Sequence, residues 1–144
     1  MTTDRRNGQC LCGAVRVSAD IPSSGFQACH CVQCQRWTGG GPFLAIRAQN
    51  LEIEGEENVE SYCHSTWGER VNCRICGSIL WWKMQGKPPA FIAVGLLDDQ
   101  GGLSLTEEIF VDHRAQWLRP EAGASQSTEA EQVAQLNAYL EKQK

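Results

Sequence analysis

ACHCVQCQRWTGG, residues 28–40, brings Cys29, Cys31 and Cys34 close together and then runs into a basic, aromatic, glycine-rich turn. Three sulfurs are one short of a closed tetrahedral zinc site. The fold turns on whether a fourth ligand comes from elsewhere or the position stays open for chemistry. Outward from this stretch, a CxC pair (Cys10, Cys12) lies upstream, a Cx2C pair (Cys73, Cys76) lies downstream, and Cys63 stands alone. Structural zinc is commonly held by two short pairs from distant points of a chain, each pre-organising two sulfurs. The outer pairs meet that description, and each is followed by a glycine, Gly13 or Gly77, suited to a tight knuckle that turns backbone amides toward thiolate. If they form one closed site, Cys29, Cys31 and Cys34 remain as a three-sulfur set, and three protein ligands with an exchangeable fourth is the arrangement of catalytic zinc. Cys63 competes for the fourth position. It lies on an expected strand without a neighbouring ligand, and burial in the core is the expectation for a lone cysteine.

Disulfides are the rival use of eight cysteines. The start MTTDRRNGQCLCG lacks the apolar core of a secretory signal, so a cytoplasmic, reducing location is expected, where thiols persist and bind metal. The 144 residues suffice for one domain with a conventional core. No apolar run is long enough to span a bilayer, which argues against a membrane protein. Thirteen basic against seventeen acidic residues argue against a nucleic-acid partner, since phosphate contacts need clustered Lys and Arg.

Alternating apolar segments at residues 14–18, 43–48, 51–54, 59–63, 78–83 and 90–96, punctuated by Gly and Pro, read as strands of an antiparallel β domain. The expected zinc-binding domain is 1–120. The remainder, 121–144, reads as a linker and an amphipathic helix, with Thr128 and Glu131 as a capping box and Val133, Leu136 and Leu140 as a narrow stripe. Docking of that stripe on its own domain is the expectation, because short helices are stabilised by burying one face.

Among the other polar residues, His30 sits between two ligands and is expected to support the site rather than ligate. His64 and His113 are expected to be surface or hydrogen-bonded histidines. Arg36 follows the sulfur triplet and either pairs with a substrate carboxylate or neutralises the thiolates. With Trp37, Gly39 and Gly40 it forms the expected wall of a thiol-substrate site, the glycines allowing close backbone approach. Arg70, Arg74 and Arg114 are further candidates for carboxylate recognition, with the solvated surface as the default expectation for each. Trp81 and Trp82 must face opposite sides of a strand, one toward the core and one toward a pocket.

GQCLCGAVRV, CHCVQCQRWTGG and CRICGS, in that order, resemble the glutathione-dependent formaldehyde-activating enzyme family, which also includes centromere protein V. IAVGLLDD (92–99) and IFVDHRAQWL (109–118) are similar to that family's final strands, so the resemblance covers roughly residues 8–118. It implies a mainly β, β-tent zinc fold, shared in outline with methionine sulfoxide reductase B, to which this chain adds its C-terminal α-helix. It further implies a structural zinc on Cys10, Cys12, Cys73 and Cys76, a catalytic-type zinc on Cys29, Cys31 and Cys34, and thus two zinc ions per chain. The implied activity is carbon–sulfur lyase chemistry, making or cleaving a thiol adduct of formaldehyde or another small electrophile with glutathione as the co-substrate. A non-catalytic zinc-binding interaction module is the alternative. Methionine sulfoxide reduction would need a redox-active cysteine beside the ligands, and only Cys63 is free to serve.

Overall fold

Residues 2–118 and 123–144 are described in a computed structural model of the chain. Ten strands form two sheets. β1 (Thr3–Gln9), β2 (Arg16–Pro22) and β5 (Gln49–Glu54) make a three-stranded antiparallel sheet in the order β1-β2-β5. The larger sheet contains β3 (Phe26–Cys29), β4 (Phe43–Arg47), β6 (Val59–Tyr62), β7 (Gly68–Cys73), β8 (Ile79–Met84), β9 (Phe91–Ala93) and β10 (Leu105–Ile109). Its order is β10-β3-β4-β9-β8-β7-β6, antiparallel throughout except that β10 runs parallel to β3. The described residues also form two α-helices, α1 (Val32–Thr38) and α2 (Glu129–Lys142), and three single-turn 3-10 segments.

Period-two alternation decides which faces meet. In β2, Val17, Ala19 and Ile21 are buried while Arg16, Ser18 and Asp20 point outward. They pack against Ile46, Val71, Leu80, Trp81 and Ile92 from the inner face of the larger sheet, and this is the main core. Gly8 of β1 lies hard against the Leu96 carbonyl, where a Cβ would collide with backbone. It also bridges to Leu97, so β1 touches the segment just after β9 backbone to backbone.

The larger sheet is therefore a partition. Ile46 pairs with Ile92, Ile92 with Trp81 and Trp81 with Val71 on the core side. One residue along each strand, Cys29 pairs with Phe43, Phe91 with Trp82, and Trp82 with Arg70 on the other side. Trp81 is thus the core tryptophan, 3% exposed.

The α2 capping box forms as expected: the Glu131 amide donates to Thr128 Oγ1 and the Thr128 amide donates to Glu131 Oε2, both at 3.2 Å. The expected docking of its stripe is corrected. Val133, Leu136 and Leu140 are each about half exposed, and every residue of α2 is exposed. The expected domain boundary at 120/121 lies outside the described residues. No helix among the described residues is long and apolar enough to cross a membrane.

Candidate metal centres and the cavity between them and solvent

The first cysteine pair occupies the turn of the β1–β2 hairpin, and the second lies at the turn of the β7–β8 hairpin, one hairpin from each sheet. Glycines in the left-handed region close both turns, Gly13 at φ +80° and Gly77 at φ +79°, with their amides bonded to the carbonyls of Cys10 and Cys73. The sulfurs of Cys10, Cys12, Cys73 and Cys76 all lie within 4.8 Å of one another. Cys10 Sγ is 3.7 Å from Cys12 Sγ, which is 3.9 Å from Cys73 Sγ. These separations are far too long for disulfides, whereas a tetrahedron with ~2.3 Å bonds to zinc has sulfur edges of about 3.8 Å. An all-sulfur donor set with that spacing fits zinc. The Val15 amide donates to Cys10 Sγ at 3.3 Å, and Cys76 Sγ lies 3.1 Å from the Ser78 hydroxyl. The Ser78 hydrogen bonds hold the Cys76 thiol down at about 5, whereas at Cys12 the pull of the Ala14 backbone is outweighed by burial and the neighbouring thiols, which push it up to about 11.

The second cluster lies on the opposite side of the partition. Cys29 ends β3, Cys31 is the N-cap of α1, and Cys34 is the buried residue of that helix. Their sulfurs also lie within 4.8 Å of one another. The Cys34 amide donates to Cys31 Sγ at 3.3 Å, so the thiol stands where a serine or aspartate oxygen would cap the helix. Sulfur alone again makes up the donor set, which fits zinc with one position left to something other than cysteine. Burial pushes the Cys34 thiol up to about 12, against the pull of the Arg70 guanidinium, and burial also raises Cys29. At Cys31 burial is outweighed, chiefly by the Cys34 amide, and its thiol falls below the usual value.

Arg70 was expected on the surface and is instead 6% exposed. Its Nη1 is 3.6 Å from Cys34 Sγ, its Nη2 donates to Gln33 Oε1 at 3.3 Å, and its guanidinium carbon lies 4.7 Å from the Trp37 ring centroid. Strand parity explains the correction, because Arg70 shares the cavity face with Trp82 across β7 and β8. Arg74 is exposed and bonds Asn58, whereas Arg114 pairs with Glu108 at 3.1 Å near the surface.

His30 is buried, with Nε2 2.9 Å from Glu108 Oε1 of β10. That bond draws Glu108 below the ordinary carboxylate value. Gln35 Nε2 donates to the carbonyls of His30 and His113, at 2.8 and 2.7 Å, and so ties α1 to the segment after β10.

The three sulfurs open into a cavity of about 540 Å³ whose wall includes Phe43, Trp67, Trp82, Phe91, Ile109 and Phe110. Trp67 meets Trp82 edge to face, centroids 5.4 Å apart. The Trp82 indole N–H donates to His64 Nε2 at 3.0 Å; indole is only a donor, so neutral His64 carries its proton on Nδ1. That atom is buried without a hydrogen-bond partner, and burial followed by the Arg70 charge lowers the His64 pKa. The imidazole is therefore uncharged near neutrality.

The wall proposed from sequence is relocated. Arg36, Gly39 and Gly40 do not line the cavity, because α1 turns Arg36 away from the side carrying Cys34 and ends before the glycines. Trp37 lies beneath Arg70 and against Phe43, centroids 4.8 Å apart. Cys63, expected in the core, is exposed just past the end of β6. Sequence reading missed Phe43, Phe91, Ile109 and Phe110. Parity within the strands was the available signal for the first two, whereas β10 and the turn after it showed no alternation.

A mainly β protein with two thiol clusters on opposite sides of one sheet, one of four cysteines and one of three facing a cavity, has two places able to hold a metal ion. The glutathione-dependent formaldehyde-activating enzyme family matches residues 5–113, and the chain belongs to that family. An uncharacterized lyase of Schizosaccharomyces pombe is 31% identical over 109 residues, covering 74% of this chain and 79% of that protein. A crystal structure of a Rhodobacter sphaeroides protein superposes with a TM-score of 0.56 at 23% identity, covering 71% of this chain and 98% of that one, and so shares the fold.

Proposed function

We propose that the chain is a zinc-dependent carbon–sulfur lyase that forms or cleaves a thiol adduct of formaldehyde or another small electrophile, with glutathione as the thiol. The observation that carries this reading is the three-sulfur cluster of Cys29, Cys31 and Cys34 opening into a cavity of its own. Family membership and the lyase relative support the reaction class. Cys10, Cys12, Cys73 and Cys76 are assigned a structural zinc, giving two zinc ions per chain.

Zinc at the three-cysteine site would supply a Lewis acid that lowers a thiol's pKa or polarises a carbonyl oxygen. The chain's own residues do the rest. Cys29, Cys31 and Cys34 would hold the metal, and Arg70 would offset the excess negative charge of three thiolates through Cys34. Arg70 is 6% exposed, and its burial strengthens that electrostatic interaction.

The test is turnover of glutathione with formaldehyde by zinc-loaded protein, wild type against Cys31→Ser. A loss of about 100-fold or more in kcat/KM with an unchanged melting profile is expected. Absence of thiol-dependent turnover in zinc-replete wild type would favour the non-catalytic interaction module.

A further inference from the structure

The cavity is much larger and more apolar than formaldehyde requires. At about 540 Å³ it falls within the range that accepts organic ligands of many heavy atoms, and a two-heavy-atom aldehyde would leave most of it unfilled. Glutathione is equally ill-suited to its depth. The tripeptide carries two carboxylates and an ammonium group, and a buried charge needs a partner. Among the described residues Arg70 is the wall residue with a fixed positive charge, and Cys34, Gln33 and the Trp37 ring already engage it. Among the described residues no aspartate or glutamate lines the cavity to meet an ammonium, and the two imidazoles that reach it, His64 and His113, already face Trp82 and Asp112.

We infer that the chamber receives the substituent of the electrophile, and that the preferred electrophile is an aldehyde bearing an aryl or medium-length alkyl group. This rests on the lyase reading above and refines it: the thiol presents its sulfur at the three-cysteine site while its charged ends stay toward solvent. The step balances without a redox partner. The thiol sulfur adds to the carbonyl carbon, the C–S bond forms as the C=O π bond opens, and the thiol proton ends on the oxygen. Cleavage reverses each change. Phe43, Phe91 and Trp82 line the chamber, and so do Trp67 and Phe110. Those last two are 56% and 54% exposed, so each can be truncated without opening the core.

Binding and turnover are read separately on zinc-loaded protein. In calorimetry, the unreactive probe 2-phenylethanol is expected to bind at least about tenfold more tightly than methanol, with a negative heat-capacity change. The rate of hemithioacetal formation with glutathione, corrected for the uncatalysed reaction, is expected to give phenylacetaldehyde and hexanal at least about a tenfold advantage in kcat/KM over formaldehyde. That ratio should fall several-fold in Trp67→Ser and in Phe110→Ser. Failure of 2-phenylethanol to bind overturns the inference. So does a kcat/KM for formaldehyde equal to or above that of the larger aldehydes, although the lyase reading would then stand. Binding of 2-phenylethanol without turnover of any aldehyde would overturn the lyase reading and support the apolar chamber alone.

Discussion

The two thiol clusters use the same chemical group in opposite settings. The four-cysteine cluster links a hairpin of one sheet to a hairpin of the other, with Cys10 and Cys73 inside the main core. The three-cysteine cluster is built within a short stretch of chain, Cys29 to Cys34, and faces a cavity. The first therefore joins parts of the fold distant in sequence, whereas the second decorates a fold that already exists. Each cluster holds thiols shifted both ways: Cys76 is lowered by Ser78 and Cys12 raised in the first, while Cys34 and Cys29 are raised by burial and Cys31 is lowered in the second.

Removing one sulfur from each cluster should break the comparison most visibly. Cys73→Ser is expected to abolish cooperative melting altogether, because loss of a structural zinc removes free energy comparable to the whole stability of a domain, about 5–15 kcal/mol. Circular dichroism against temperature checks it, and Cys31→Ser is the control that should still melt cooperatively.

Acid should separate the clusters without mutation. Protons compete with metal for thiolate, and a site with three protein ligands facing a cavity gives up its metal at higher pH than a four-ligand site. Between about pH 8 and about pH 5, zinc content is expected to fall from two ions per chain to one, with the three-cysteine site emptying first. Mass spectrometry of bound metal on wild type and Cys31→Ser reads this directly; loss from the four-cysteine site first would reverse the comparison.

A smaller effect is expected at Arg70. Arg70→Met leaves Cys34 without its charged hydrogen bond and should cost about 1.5–3 kcal/mol in thermal stability while weakening zinc at the three-cysteine site. Arg70→Lys should recover only part, since it keeps the charge but not the planar face over Trp37. Smallest of all, Cys63→Ser should change stability by no more than about 0.5 kcal/mol, as expected of an exposed side chain.

Much of this was legible because spacing and parity are short-range. CxC, CxCx2C and Cx2C partitioned the cysteines before any coordinates, and adjacent Trp81 and Trp82 had to face opposite sides, although only the sheet shows which. What stayed hidden depends on contacts distant in sequence. Arg70 reads as a surface residue until β8 places its face beside Trp82. β1, TDRRNGQ, shows no apolar alternation because six of its seven residues are not buried, Gly8 excepted. β10, LTEEI, is likewise exposed along most of its length and is held by its pairing with β3. Cys63 misled for a related reason: β6 is an edge strand, and alternation at an edge does not guarantee burial.

The parallel pairing of β10 with β3 sets an order of assembly. Antiparallel neighbours such as β7 and β8 close across a short turn, but Phe26 must wait for Leu105, its partner far along the chain. Contacts of such sequence separation form late, because loop-closure entropy is paid before they repay it. Cys29, Cys31 and Cys34 are thus in place before Ile109, Phe110 and His113 arrive to finish the chamber around them. During synthesis the thiols would stand open to solvent and metal until the last strand docks, so the chamber closes around a centre that can already be loaded.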